Sequence, residues 1–176
     1  MPTLLFIRGS PGSGKITAAR ILERDLGWRL FWLHDLDGIS RTVGHGRDGN
    51  LARLMDEMTA PVLRHLMRDG KDLIYVRPAR DRETVELALD LAACAGYRFV
   101  LATLVAKYST LCSRVESRPF VPGRISSRLE LDEYLSSRPL LEINTGLVVE
   151  TDGKTPEEVA EEIKGNLAGS ARAETA

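Results

Sequence analysis

Cysteine is scarce in this chain: Cys94 and Cys112 are the two cysteines among 176 residues. Their spacing matches no metal-ligand pattern, and two cysteines cannot build a disulfide framework. We therefore expect both to be reduced, small apolar residues of helices. The histidines His34, His45 and His65 include no pair at metal-ligand spacing either. We expect structural or surface roles for them.

The chain also lacks a long apolar run and an excess of charge of one sign. No window approaches the roughly 18 apolar residues that cross a bilayer, and the N-terminus carries no signal segment, so we expect a cytoplasmic protein without a membrane partner. The net charge of −1 makes nucleic acid a possible but unfavoured partner. A length of 176 residues with 43% hydrophobic and 28% charged residues predicts one domain. A monomer or a homodimer is expected, and the sequence does not distinguish the two.

A glycine-rich stretch follows the first apolar run, which predicts a buried strand over residues 3–8. It reads Gly-Ser-Pro-Gly-Ser-Gly-Lys and fits G-x-x-x-x-G-K, the pattern of a phosphate-binding loop between a strand and a helix. Its backbone N–H groups can approach a phosphate closely, and the lysine can reach the β- and γ-phosphates of a nucleotide. An ordinary glycine-rich turn is the alternative. The predicted nucleotide-binding residues are Gly9, Ser10, Pro11, Gly12, Ser13, Gly14, Lys15, Ile16 and Thr17.

One position departs from that pattern. The residue after the lysine is usually Ser or Thr, whose hydroxyl binds Mg²⁺, but this chain has Ile16 there and Thr17 one step later. Isoleucine has no oxygen to offer a metal. The substitution therefore weakens direct metal binding by the loop without removing phosphate binding, and a natural or engineered impairment stays open.

Strand and helix patterns alternate along the chain, which predicts a parallel sheet with helices on both faces and ligands at the carboxyl ends of its strands. Pro61 should kink or break the second helix, and Gly27 should cap the first. A single domain is expected over 1–168, with a flexible tail over 169–176. The predicted strands are 3–8, 29–34, 72–76, 97–105 and 147–150, and the predicted helices are 15–26, 51–68, 82–95, 108–117, 128–136 and 156–167.

Two carboxylates, Asp35 and Asp37, follow the second predicted strand. Their i, i+2 spacing places both on one side of an extended chain. Beside a phosphate-binding loop, one can hold a water of Mg²⁺ while the other accepts a proton from an attacking hydroxyl. An ordinary acidic turn is the alternative.

Arginines form the third candidate cluster. Arg114 and Arg118 share a helix face, and further arginines follow across a loop rich in proline and glycine, so a lid at about 114–130 could close over ATP. The alternative is a surface helix whose arginines pair with Glu116 and Glu130. Arginines at strand ends could bind an anionic substrate group, or form salt bridges instead. The predicted substrate-binding residues are Asp37, Arg41, Arg77, Arg80, Arg124 and Arg128.

These motifs together resemble the P-loop small-molecule and nucleotide kinases, which include adenylate, shikimate and gluconate kinases. The chain looks most like the branch with polynucleotide kinase and chloramphenicol phosphotransferase. The resemblance rests on residues 9–17, on the two aspartates, on Arg114-x-x-x-Arg118 and on residues 151–159. It implies a five-stranded α/β sheet in the order 2-3-1-4-5, a lid after the fourth strand, and ATP or GTP with Mg²⁺ as phosphoryl donor.

The resemblance also implies roles for individual residues. The catalytic residues would be Lys15, Asp37, Asp35 and Arg118. Asp37 is the first choice for the base and Asp35 the second. Asp35 and Thr17 would be the metal-binding residues. Arg114 and Arg118 would bind the nucleotide, and residues 150–154 would lie near the adenine. The leading function is an ATP-dependent kinase of a small-molecule hydroxyl. A nucleotide or polynucleotide 5′-kinase and a nucleotide-binding module with impaired transfer stay open.

Overall fold

Strands and helices alternate along the chain much as the sequence predicts. The computed structural model describes residues 1–32, 49–78, 82–120, 124–137 and 146–173, without the side chains of 49–56 and 169–173. In order, the elements are β1 (Thr3–Gly9), α1 (Lys15–Leu26), β2 (Arg29–Trp32), α2 (Gly49–Met67), β3 (Leu73–Val76), α3 (Arg82–Cys94), β4 (Arg98–Val105), α4 (Tyr108–Glu116), α5 (Arg128–Ser137), β5 (Leu147–Glu150) and α6 (Pro156–Ala173).

A five-stranded sheet with the order β2-β3-β1-β4-β5 forms the centre of the fold. All four neighbouring pairs are parallel. The predicted α/β class and strand order are therefore confirmed. The order places the loop after β1 at the middle of the sheet, with β2 and β3 on one side of it and β4 and β5 on the other.

Each face of the sheet carries its own hydrophobic core, because alternate residues of a strand point to opposite faces. Leu5 and Ile7 of β1 pack with α1 and α6, and Leu4 and Phe6 pack with α2 and α3. On the second face, Tyr75 stacks between Phe6 and Phe31, with ring centroids 4.6 Å and 5.5 Å away. Such pairs contribute about 0.5–1.5 kcal/mol each beyond their burial.

Local signals in the sequence set several helix ends. Gly27 ends α1 with φ +66° and donates its N–H to the carbonyl of Glu23 at 2.9 Å, which confirms the predicted cap. At the start of α6, the Glu158 N–H donates to Thr155 Oγ1 at 3.2 Å, and the Thr155 N–H donates to Glu158 Oε2 at 2.7 Å. This reciprocal capping box fixes where α6 begins.

Other predicted boundaries were wrong. Helix α2 begins at Gly49 and continues through Pro61, so the proline does not break it, and the alternative, a kink, stays a prediction. Helix α6 extends to Ala173, beyond the predicted end at Leu167.

Both cysteines are free, but Cys94 is exposed while Cys112 is buried. Within the part of the chain that is described, no helix is long and apolar enough to cross a membrane.

Candidate active site

The loop between β1 and α1 has the shape of a phosphate cradle. The Ser13 N–H and the Lys15 Nζ both donate to the carbonyl of Ser10, each at 3.1 Å, so the loop curls back on itself. A Cβ placed on Gly14 would meet no atom within 4 Å, which leaves the concave side open at the start of α1. Because a helix begins with unsatisfied N–H groups and a partial positive charge, this opening suits an anion.

The other side of the loop is closely packed. A Cβ on Gly12 would lie 2.9 Å from the carbonyl oxygen of Leu111, and Gly12 adopts φ +85°. A Cβ on Gly9 would lie 2.5 Å from the carbonyl oxygen of Leu104. These glycines therefore hold the loop against β4 and α4. Ser13 is fully buried, and its Oγ has no hydrogen-bond partner within the described part of the chain.

The residues around the loop fit a nucleotide with Mg²⁺ bound through its phosphates. Ile16 is half-buried against the core below α1, whereas Thr17 is exposed. Among the described residues, no group of three or more His, Cys, Asp or Glu side chains could hold a metal ion. Near the cradle, the Thr17 hydroxyl, two residues after Lys15, is a protein oxygen that could serve a Mg²⁺ ion.

Arg114 connects the cradle to the loop between β5 and α6. Its Nη1 donates to Thr151 Oγ1 at 2.9 Å, and its Nη2 donates to the Thr151 carbonyl at 2.7 Å. A longer bond of 3.4 Å joins Nη1 to the Gly12 carbonyl. The alternative pairing with Glu116 or Glu130 is thus not what holds Arg114. The side chain fixes α4, the cradle and the β5–α6 loop together.

Asp152 caps helix α4 from outside that helix. Its carboxylate accepts the Lys107 N–H at 2.9 Å and the Thr110 hydroxyl at 2.5 Å. The hydrogen bond from Thr110 and then that from Lys107 lower the pKa of Asp152 below its usual range. A negative charge at a helix start also interacts favourably with the helix dipole.

We expect Asp152→Ala to lower the melting temperature at neutral pH, because α4 loses its cap. Since the pKa of Asp152 is lower in the folded state, its stabilising effect is present above the unfolded pKa and lost as pH falls through the folded one. Thermal melts from pH 7 to pH 3 should therefore show parent and variant converging in acid. Asp90→Ala, at an exposed position of α3, is the matched control. Parallel curves at all pH values would contradict the capping role.

The segment after α4 brings two further guanidinium groups to the site. The predicted helix face shared by Arg114 and Arg118 was wrong, because α4 ends at Glu116 and Arg118 lies beyond it. The Arg118 Nη2 donates to the Ile125 carbonyl. Its Nε is buried without a hydrogen-bond partner among the described residues. Burial and the nearby positive charge of Arg124 both lower the pKa of Arg118. Two neighbouring cations of this kind are stabilised by an anion between them.

Arg124 reaches the far side of the sheet. Its guanidinium carbon lies 4.7 Å from the centroid of the Trp32 ring at the end of β2. Helix α4 follows β4, on the other side of β1. The cation–π contact therefore connects a residue of the predicted lid to the opposite half of the sheet, and closure of that lid over the cradle stays a prediction.

This contact predicts a fluorescence signal. In a Trp28→Phe background, Trp32 is the remaining tryptophan. Arg124→Gln should change its emission, because the charge over the indole is lost, and should abolish any response to ATP that depends on lid movement. Arg128→Gln is the control, since the Arg128 guanidinium lies over Tyr108 instead, 5.5 Å from the ring centroid. Identical emission with and without Arg124 would show that the contact does not form in solution.

Arg128 is not brought together with the cradle lysine. Its Nε donates to the Tyr108 hydroxyl at 3.1 Å, and that hydroxyl donates to Asp132. The Asp132 carboxylate, followed by Cys112, raises the pKa of Tyr108 to about 12. Arg128, Tyr108 and Cys112 line an open depression of about 600 Å³ together with Ser109, Ser113, Glu116 and Ser117.

Several predicted site residues lie outside the described residues: Asp35, Asp37, Arg41 and Arg80. Arg77 is described, at the end of β3, where its Nη1 donates to Thr59 Oγ1 at 3.4 Å. Sequence reasoning missed the roles of Trp32, Thr151 and Asp152. It also missed Arg8. The sequence feature that could have drawn attention to this residue is a charged side chain at the end of an otherwise apolar strand.

The sheet order and the cradle after its central strand define a P-loop kinase fold. The chain belongs to the AAA domain family, whose model matches residues 4–138. The resemblance to P-loop kinases is thereby confirmed, and kinase-family relatives indicate a phosphotransferase. The narrower likeness to the polynucleotide kinase branch stays a prediction.

Curated relatives and solved structures agree with this assignment. The chain is 26% identical over 162 residues to a protein of Pyrococcus furiosus named "Putative adenylate kinase", with 91% of this chain and 81% of the relative covered. A Thermococcus gammatolerans protein of the same name is 28% identical over 160 residues, with 91% and 82% covered.

Among solved structures, shikimate kinase from Aquifex aeolicus superposes with a TM-score of 0.65 at 17% identity, covering 96% of this chain and 98% of that one. A gluconokinase from Sinorhizobium meliloti gives a TM-score of 0.64 at 18% identity, covering 98% and 95%. At such identities these similarities show the fold.

Proposed function

We propose that this chain is an ATP-dependent kinase that transfers the γ-phosphoryl group to a hydroxyl of a small molecule. One observation carries the proposal: the cradle is open at the start of α1, and beyond α4 the charge of Arg124, which lies over the Trp32 ring, is near enough to Arg118 to lower its pKa. A cradle and an arginine pair on one edge of the sheet suit a polyphosphate whose charge increases during transfer. A cytoplasmic location and a monomeric or homodimeric state stay predictions.

In the proposed reaction, the acceptor oxygen forms a bond to the γ-phosphorus as the bond from that phosphorus to the β–γ bridging oxygen breaks. Lys15 holds the β- and γ-phosphates, and Arg118 neutralises the charge that develops on the leaving ADP. The acceptor hydroxyl loses its proton to Asp37, and Asp35 binds the water shell of Mg²⁺. Mg²⁺ itself supplies charge neutralisation at the phosphates.

A nucleotide acceptor is the second candidate. It is favoured by the relatives named "Putative adenylate kinase", at 26–28% identity over most of the chain. A polynucleotide acceptor would need Arg41, Arg47, Arg77 and Arg80 to form a continuous basic groove. A nucleotide-binding module with impaired transfer is the third candidate, and Ile16 is the residue that supports it.

An acceptor panel separates these candidates. ADP formation would be measured with sugars, sugar acids, nucleosides, nucleoside monophosphates and a 5′-hydroxyl oligonucleotide, beside ATP binding by calorimetry. The leading proposal expects ADP formation that requires a small hydroxyl compound. Turnover with nucleoside monophosphates or with the oligonucleotide alone would select the second candidate. Tight ATP binding without turnover on any acceptor would select the third.

The position after the cradle lysine offers a matched test of metal binding. Ile16→Thr and Ile16→Val remove similar apolar volume from a half-buried site, but only threonine adds a hydroxyl. We expect Ile16→Thr to raise the transfer rate modestly or to lower the Mg²⁺ concentration needed, relative to Ile16→Val. Rates measured against Mg²⁺ concentration would show this. Equal curves would mean that the arrangement with Thr17 is already sufficient.

A further inference from the structure

The contact between Trp32 and Arg124 has a fixed half, which is the tryptophan. Trp32 ends β2 and pairs with Val76 of β3, which pairs in turn with Ile7 of β1. Since neighbouring strands lie about 4.8 Å apart, the Trp32 backbone is about 10 Å from that of Ile7, two residues before the cradle begins. The Trp32 ring is 6% exposed and packs in the core that contains α1. The ring is therefore a rigid surface close to the cradle.

The guanidinium of Arg124 is held by its face. Its central carbon lies 4.7 Å from the centroid of the Trp32 ring, and the residue is half-buried. Arg124 forms no hydrogen bond and no ion pair with any residue that the structure describes. A contact through the flat face leaves the five N–H donors at the edge of the guanidinium available to another group. An acidic partner would instead occupy those donors and cancel the charge.

The neighbouring charges do not replace the ring as the partner of Arg124. Burial and then the charge of Arg124 lower the pKa of Arg118, whose Nη2 donates to the carbonyl of Ile125. Glu130 acts on that pKa in the opposite direction. The Glu130 Oε2 accepts the Ser126 N–H at 2.7 Å and the Ser126 hydroxyl at 3.2 Å. The acid nearest to this pair is thus bound to the backbone beside it, and Arg124 keeps its charge and its donors.

We propose that Trp32 is a positioning residue for phosphoryl transfer. Its ring holds Arg124 at the carboxyl end of β2 with the N–H edge available to the oxygens of the transferred phosphoryl group. A guanidinium that is fixed before the reaction loses less side-chain entropy on binding phosphate, and its charge acts where charge develops. This role rests on the proposed kinase function, whereas the hold of Trp32 on Arg124 can be tested by nucleotide binding alone.

Fluorinated tryptophans test the contact without removing the ring. In a Trp28→Phe background, Trp32 is the remaining tryptophan and can be replaced by mono-, di- and trifluorotryptophan during expression. Each fluorine withdraws electron density from the ring face and weakens its attraction for a cation. We expect kcat to fall stepwise, by about 10-fold over the series, the scale of a cation–π contact at a buried ring. The same series in Arg124→Gln should leave kcat unchanged. A flat series, or equal slopes with and without Arg124, would overturn the proposal.

Substitutions give an independent measure. Trp32→Leu and Arg124→Gln should each lower kcat about 10- to 30-fold, and the double variant should fall no further, because both remove one interaction. Trp32→Phe, which keeps an aromatic face, should recover much of the rate. Trp28→Leu is the matched control, since Trp28 is half-buried against the same core. It should lower the melting temperature but leave kcat unchanged. Additive losses, or an equal loss of kcat in Trp28→Leu, would mean that Trp32 serves packing alone.

The same variants, assayed for the affinity of AMPPNP with Mg²⁺ by calorimetry, separate this proposal from the kinase function. Suppose that no acceptor supports transfer, but fluorination weakens AMPPNP binding when Arg124 is present and not in Arg124→Gln. The positioning role then stands and the kinase function fails. If transfer occurs while neither kcat nor AMPPNP affinity responds to the Trp32 ring, the kinase function stands and the positioning role fails.

Discussion

Lys15→Ala is expected to lower the rate of phosphoryl transfer by about 10²- to 10³-fold, the scale seen when one preorganised positive donor is removed. The side chain lies at the open side of the cradle, where its Nζ donates to the Ser10 carbonyl at 3.1 Å. A bound nucleotide would offer this amine phosphate oxygens in place of that carbonyl. The loss should therefore fall on transfer, and the fold should be kept because the residue is not part of either core.

Steady-state rates and calorimetric ATP affinities of parent and variant measure this effect. Lys71→Ala, exposed at the turn before β3, is a control for the loss of one lysine. Circular dichroism melts should superpose for all three proteins to within a few degrees. A transfer rate that survives in Lys15→Ala would remove the phosphate-cradle interpretation.

Asp37→Asn is expected to lower the transfer rate by about 10²- to 10⁴-fold with ATP affinity nearly unchanged. Asparagine keeps the size and much of the hydrogen bonding of aspartate but cannot accept the proton of the acceptor hydroxyl. The effect should lie toward the low end, because a loose transition state needs little help from a base. Since Asp37 lies outside the described residues, this role stays a prediction from the sequence.

Asp35→Asn completes the test of the acid pair. If Asp35 serves the metal's water shell, this variant should need more Mg²⁺ while its rate at saturating Mg²⁺ falls less. A large rate loss in Asp35→Asn with a normal Asp37→Asn would exchange the two roles. Two variants that both behave like the parent would identify the pair as an ordinary acidic turn.

The fold could be predicted from the sequence because its determinants are local. The apolar run before Gly9, the glycines of the cradle and the Thr155–Glu158 capping box each specify a neighbouring element by backbone chemistry alone. Alternation of strands and helices indicated a parallel sheet, and its strand order came from the resemblance to P-loop kinases. A break at Pro61 does not occur because packing of α2 on the sheet outweighs the local preference of proline against a helix interior.

The candidate site could be predicted only in part, because its arrangement depends on contacts between distant segments. The spacing of Arg114 and Arg118 predicted one shared helix face, but α4 ends before Arg118. The sequence also could not show that Arg114 would be held by Thr151. Nor could it show that Arg124 would reach the Trp32 ring across the sheet. Such pairings follow from strand order and loop path, which no spacing rule encodes.

The most direct test of the account follows the γ-phosphoryl group itself. Phosphorus NMR of the protein with ATP, Mg²⁺ and the acceptor panel would show where that group goes. The account predicts a new phosphomonoester signal that grows in proportion to ADP and is lost in Lys15→Ala. If ATP binds and ADP forms with inorganic phosphate as the sole new product, or if no ADP forms with any acceptor, the chain is not the kinase proposed here.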